Sequence, residues 1–226
     1  MLIHIAGVLA AEELGHCRAK LNSADWKDGR HSAGYLSRGV KENVQLADGD
    51  PTARELGELI LRALDRSELF TAAALPLKIV PPLFNRYEPP QTYGSHIDGA
   101  IRPITGTPYK VRTDLSATLF LSEPGEYEGG ELVIQESYGE KTVKLAAGDM
   151  VLYPGTSVHR VTPVTRGTRL ASFFWIESMI RDQTQRTILF QLDKAIQSIG
   201  AALPGDPAVV ELAGVYHNLL RCWAVT

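Results

Sequence analysis

The residues best suited to chemistry are His96 and Asp98, in the run Tyr93-Gly94-Ser95-His96-Ile97-Asp98 of this 226-residue chain. In an extended strand, residues two positions apart leave the same face, so an imidazole and a carboxylate here point into one cavity. Two donors do not hold a metal. The best third is His159, in Gly155-Thr156-Ser157-Val158-His159. Two imidazoles and one carboxylate, with the remaining positions open, are the facial donor set of mononuclear non-haem ferrous iron. Alone, a His-x-Asp tripeptide is more often a surface or hydrogen-bonded pair, and a lone strand histidine is usually a satisfied core residue. The residues around this pair give the metal reading its weight.

The run Gly148-Asp149-Met150-Val151-Leu152-Tyr153-Pro154-Gly155 reads as turn, short strand and turn, delivering His159 to the start of another strand. Arg169 follows the Arg166-Gly167-Thr168 turn and is flanked by Leu170, Ala171, Phe173, Phe174 and Trp175, so its guanidinium is expected inside. A buried arginine is costly without an anion. Either an internal Asp or Glu pairs with it, or it holds the carboxylate of a bound small molecule in bidentate fashion.

Several function classes are excluded by composition. A net charge of −3 argues against a general nucleic-acid binder. No apolar run approaches the ~20 residues that cross a bilayer, and the start Met1-Leu2-Ile3-His4-Ile5 lacks the basic and apolar regions of a signal peptide. Cys17 and Cys222 are far apart and outside any C-x-x-C spacing, so they read as free thiols in a reducing, cytoplasmic setting.

The positioning elements follow from periodicity. Residues 10–22 have helical spacing (Leu14, Cys17, Leu21), with Trp26 and Gly29 marking the end, and residues 31–46 read as strand and loop. Asp50 can cap a helix with Pro51 at its first position and one stripe of Leu56, Leu59, Ile60, Ala63 and Leu64. Runs at 77–87, 115–122, 131–136, 142–145, 150–153, 158–164 and 169–176 are short, β-prone and separated by turn residues, which predicts a sandwich or barrel with one ligand-binding mouth. Helical spacing returns at 185–199 and, after Asp206-Pro207, at 208–223. The expected division is 1–76, helices and strands packing on the barrel; 77–177, a mainly β double-stranded β-helix (jelly-roll, cupin-like) core; and 178–226, a helical appendage whose apolar stripes cover the barrel or form a homodimer.

The ordered set Tyr87, Tyr93-x-x-His96-x-Asp98, Gly129-Gly130-Glu131-Leu132, Gly148-Asp149, Pro154-Gly155-x-x-x-His159 and Arg169 resembles the Fe(II)/2-oxoglutarate dioxygenases of the prolyl-4-hydroxylase class. With Phe84-Asn85-Arg86-Tyr87 and the helical C-terminus, it looks like the bacterial PKHD-type hydroxylases, a subgroup associated with iron uptake. The resemblance covers about 78–177 strongly and the flanks loosely. It implies that His96, Asp98 and His159 bind Fe(II), that Arg169 binds the distal carboxylate of 2-oxoglutarate, and that ascorbate restores the ferrous state. It also implies oxidative decarboxylation to succinate and CO2 with hydroxylation of a substrate. That substrate could be a peptide or a siderophore-like small molecule. The rival readings are a cupin-like metalloenzyme that does not use 2-oxoglutarate, and an iron- or carboxylate-binding sensor without turnover. Some relatives carry serine two positions after the arginine; here that position is Ala171. A hydroxyl for the carboxylate must then come from Tyr87, Thr118 or Tyr109, and both Tyr87 and Tyr93 also suit an aromatic core.

The segment 99–113 carries Arg102, Lys110 and Arg112 among prolines and glycines, directly after the ligand pair, whereas Glu126 and Glu128 read as solvated hairpin charges. As a lid it would favour an anionic or chelating substrate; as a surface loop it would not touch one. If it is a lid, replacing all three basic residues with alanine weakens substrate affinity, and unchanged affinity in a direct binding assay discards it.

Overall fold

The computed structural model describes residues 1–225 apart from 33, 35 and 36. Two antiparallel sheets face each other across the core. In the larger sheet the strand order is Ile3–Ile5, Met150–Pro154, Leu115–Phe120, Arg169–Ser178, Leu83–Tyr87, Val44–Gln45 and Lys27–Asp28, with Pro76–Ile79 also paired to Arg169–Ser178. The smaller runs Gly139–Val143, Leu132–Glu136, His159–Val161, Thr92–His96 and Lys41–Glu42. This is the expected jelly-roll arrangement.

Alternation along each strand gives the larger sheet two different faces. Leu115, Ala117, Leu119, Met150, Leu152, Leu170, Phe174 and Ile176 join one core with the helices. Their neighbours Phe120, Val151 and Tyr153 join a second core with Leu132, Ile134 and Val161 of the smaller sheet. The first core receives Cys17 and Leu21 of α1 (Ala11–Asn22), Leu56, Ile60 and Leu64 of α2 (Pro51–Asp65), and Phe70 of α3 (Glu68–Ala74).

Capping sets the helix starts. Asp50 accepts from Ala53 N (3.0 Å) at α2, and Asp182 from Gln185 N (2.8 Å) at α4 (Gln183–Ala202). Asp206 accepts from Ala208 N (2.8 Å) at α5 (Pro207–Trp223). The two C-terminal helices bury Leu189 with Ile180 and Leu75, and Tyr216, Leu219 and Trp223 pack against them. Among the described residues, no helix is long and apolar enough to cross a membrane.

Two expectations need correction. The 77–87 run is two strands, broken at Val80-Pro81-Pro82, and the 158–164 run is broken at Thr162-Pro163. In both places proline has no N–H to continue a ladder. The helix over 11–22 ends as expected, at a Ser23 cap before Trp26. The 31–46 segment holds the turns Gly29–Ser32 and Arg38–Val40 and the short strands Lys41–Glu42 and Val44–Gln45; positions 33, 35 and 36 of that expectation lie outside the described residues. Helix α3 was not expected, because seven residues are too few to show helical periodicity.

The turn before His159 depends on Gly155, where a Cβ would lie 2.2 Å from the Thr113 carbonyl oxygen. Gly155→Ala must therefore push apart the Thr113 and Gly155 backbones. It is expected to lower stability by about 2 kcal/mol in urea denaturation.

Candidate metal centre and its cavity

His96 is the last residue of Thr92–His96, and His159 the first of His159–Val161; the two strands pair antiparallel with these residues directly opposite. Their rings lie 4.2 Å apart, centroid to centroid. Asp98 is not in the strand, as the pleat argument supposed, but two residues past its end. Its position comes from across the barrel, where Ser116 Oγ donates to Asp98 Oδ2 (2.7 Å). One donor atom from each of His96, Asp98 and His159 lies within 4.8 Å of the others.

Both imidazoles are held in one tautomer. His96 Nδ1–H donates to the Gly94 carbonyl (2.8 Å) and His159 Nδ1–H to the Ser157 carbonyl (3.1 Å). Each Nε2 is thereby left with its lone pair, and His159 Nε2 sits 3.9 Å from Asp98 Oδ2. Burial, and then the neighbouring His159, lower the pKa of His96 to about 4, so it is a neutral imidazole at neutral pH. Tyr93 stacks on the His96 ring at 3.6 Å, and Tyr153 meets His159 edge-on. Two lone-pair nitrogens and a carboxylate oxygen on one side of an open cavity fit a ferrous ion.

The cavity measures about 720 Å³. Its base is Arg169, 1% exposed and set opposite Tyr87 on the adjacent strand. The guanidinium lies 5.3 Å from the Tyr87 ring and 5.4 Å from the Phe120 ring. Among the described residues no carboxylate comes within 4.0 Å, and Nε and Nη1 have no hydrogen-bond partner. Of the two alternatives for this arginine, internal ion pairing is thus not what occurs. A buried fork with free donors is suited to a carboxylate.

Of the candidate hydroxyls, Tyr87 and Thr118 line the cavity, whereas Tyr109 is 63% exposed on the 101–112 hairpin and does not. Burial raises the pKa of Tyr87 to about 12, keeping it a neutral phenol that can donate. The basic segment 99–113 divides. Arg102 lines the cavity; Lys110 is exposed; Arg112 donates to both oxygens of Asp114 (2.7 and 2.9 Å) and lies 3.4 Å from Glu177, so it is structural. Glu126 and Glu128 pair with Arg18 and Arg166 at the surface.

Two residues of the cavity escaped the sequence reading. Ser116 had a signal, since Ser116 and Thr118 alternate with Leu115, Ala117 and Leu119 in a strand buried at every position. Lys41 had none. It is 3% exposed, and its Nζ donates to Ser32 Oγ (2.8 Å) and Gln45 Oε1 (2.6 Å).

Removing the hydroxyl that holds Asp98 tests this geometry. Ser116→Ala is expected to weaken metal affinity about tenfold, read by competing a chromophoric chelator for Fe(II) or Co(II).

The comparisons with known proteins agree with this chemistry. Residues 82–177 match the family model described as 2OG-Fe(II) oxygenase superfamily, and residues 183–224 match that of the PKHD-type hydroxylase C-terminal domain. A PKHD-type hydroxylase of Saccharophagus degradans is 58% identical over 226 residues, covering 100% of both chains. One from Bordetella pertussis is 56% identical over 223 residues, 99% of each. In fold, the chain is similar to a Pseudomonas putida prolyl-4-hydroxylase (TM-score 0.50, 21% identity, covering 78% of this chain and 92% of that one). It is also similar to a Trichoplax adhaerens prolyl hydroxylase solved with a peptide fragment (TM-score 0.56, 12% identity, 83% and 86% covered). The chain belongs to the PKHD-type hydroxylase family, and is a dioxygenase that depends on Fe(II) and 2-oxoglutarate.

Proposed function

We propose that His96, Asp98 and His159 hold the ferrous ion, that Arg169 binds the distal carboxylate of 2-oxoglutarate, and that a substrate at the cavity mouth is hydroxylated. One observation carries this reading: three converging metal donors and a buried guanidinium without a carboxylate partner share a single cavity. When bound there, iron supplies the activation of O2. The overall reaction takes one oxygen atom of O2 into the substrate C–H bond and the other into succinate, with release of CO2.

The chain's own residues bind and orient. Arg169 fixes one end of the 2-oxo acid through paired N–H donors. The Tyr87 phenol, adjacent in register and neutral, would donate a further hydrogen bond to that carboxylate, in the role that serine takes in relatives and that Ala171 cannot fill. The apolar lining of Val161, Leu132 and Phe173 limits water around the reacting groups. Ser116 keeps Asp98 turned toward the two imidazoles.

We infer a small molecule or peptide as substrate and, from the resemblance stated above, a siderophore-like compound and a role in iron uptake. Ascorbate, typical of the family, would keep the iron reduced. Free Cys17 and Cys222 fit a reducing compartment, the cytoplasm. The exposed Ile188, Val210 and Val215 on α4 and α5 support a homodimer formed through these helices.

Release of CO2 from carboxyl-labelled 2-oxoglutarate needs no knowledge of the substrate. His96→Ala and Asp98→Ala are expected to abolish it. Arg169→Ala should raise the 2-oxoglutarate concentration required about a hundredfold, the loss of a charge-assisted bidentate pair. Normal release by the His96 variant would remove the ligand assignment.

A further inference from the structure

The cavity is lined by two cations that the assignments above leave unused. Lys41 Nζ lies 5.1 Å from the Tyr93 ring and 5.7 Å from the Phe173 ring, and its two hydrogen bonds leave one N–H uncommitted among the described residues. The Arg102 guanidinium lies 4.2 Å from the Trp175 ring, and Trp175 meets Phe173 edge-on at 5.5 Å. Phe173 and Trp175 share a strand with Arg169 and alternate on its inner face, so the same strand runs from the buried guanidinium to this aromatic shelf.

Charge decides what the cavity can accept. Among the described residues lining the cavity, Lys41, Arg102 and Arg169 are cationic and Asp98 alone is anionic. None of the three cations has a carboxylate within 4.0 Å among those residues. A ferrous ion brings two positive charges and 2-oxoglutarate two negative ones, so with Lys41 protonated loading leaves an excess of two positive charges. Burial, and then the field of Arg102, pull Lys41 down to about 7, so an anion beside them favours the charged form of Lys41. The planar rings around such an anion favour a flat apolar body.

We propose that Lys41 and Arg102 form the recognition site for the primary substrate, an anion on a planar apolar group that lies against Tyr93, Phe173 and Trp175. The inference rests on the oxygenase reading of the cavity, because it assigns Arg169 to 2-oxoglutarate and so leaves Lys41 and Arg102 for the substrate.

The test uses the anaerobic Fe(II) and 2-oxoglutarate complex of the full chain, titrated by calorimetry with 2-naphthoate and with its neutral counterpart 2-naphthamide. Naphthoate is expected to bind at least tenfold more tightly, since a charge-assisted hydrogen bond contributes about that factor. Lys41→Met and Arg102→Gln should each reduce the ratio of the two affinities, and Arg102→Lys, which keeps the charge, should retain it. Equal binding of the two probes to the unsubstituted protein overturns the proposal. So does naphthoate that binds only when 2-oxoglutarate is withheld, because Arg169 would then be its partner. The visible charge-transfer band of the Fe(II) and 2-oxoglutarate complex, recorded in the same samples, reports separately on the metal and co-substrate. Its absence counts against the oxygenase reading, and its presence with equal probe affinities against this one.

Discussion

A guanidinium enclosed by two aromatic rings with no carboxylate beside it is the constraint around which the barrel is arranged. Leaving Arg169 charged at 1% exposure costs several kcal/mol unless an anion shares the space. The sheet solves this by giving its strands two faces. Leu170, Phe174 and Ile176 bury apolar surface under the helices, and that burial offsets the cost of the polar face. Arg169, Phe173 and Trp175, on the other side of the same backbone, are then free to line a cavity.

The metal donors divide between the sheets differently. Both imidazoles come from the smaller sheet, where cross-strand register sets His159 against His96. The carboxylate leaves that sheet and is anchored by Ser116 on the larger one. Spacing between the sheets therefore enters the donor geometry directly, and the tight turn at Gly155 matters to a site it does not touch. Each histidine spends Nδ1 on a backbone carbonyl, so the tautomer is set by the chain and not by solvent.

Along its length the cavity changes in character. Arg169 lies against the Tyr87 and Phe120 rings, where one end of the co-substrate is proposed to bind. Farther along the same cavity Lys41 and Arg102 sit among ring faces, where the proposed substrate would lie. The proposed sites for co-substrate and substrate are thus separated along one strand, with the metal donors between the sheets beside it.

Much of this was legible in the chain alone. Short β-prone runs separated by glycine and proline turns specified the β core, and Asp50 and Asp206 mark helix starts by local hydrogen bonding. The types at 96, 98, 159 and 169 declare themselves because histidine, carboxylate and arginine are costly inside an apolar strand region without a task. Pro81, Pro82 and Pro163 break the runs they stand in, a backbone effect that apolar periodicity alone concealed. Tertiary structure decided the rest. Lys41 enters the cavity only because the Lys41–Glu42 strand pairs with Thr92–His96, and Arg112 leaves it for Asp114 and Glu177 although its sequence context matches that of Arg102. Side chains far apart in sequence meet through strand register and sheet spacing. Both depend on the whole core closing at once, so no local pattern records them.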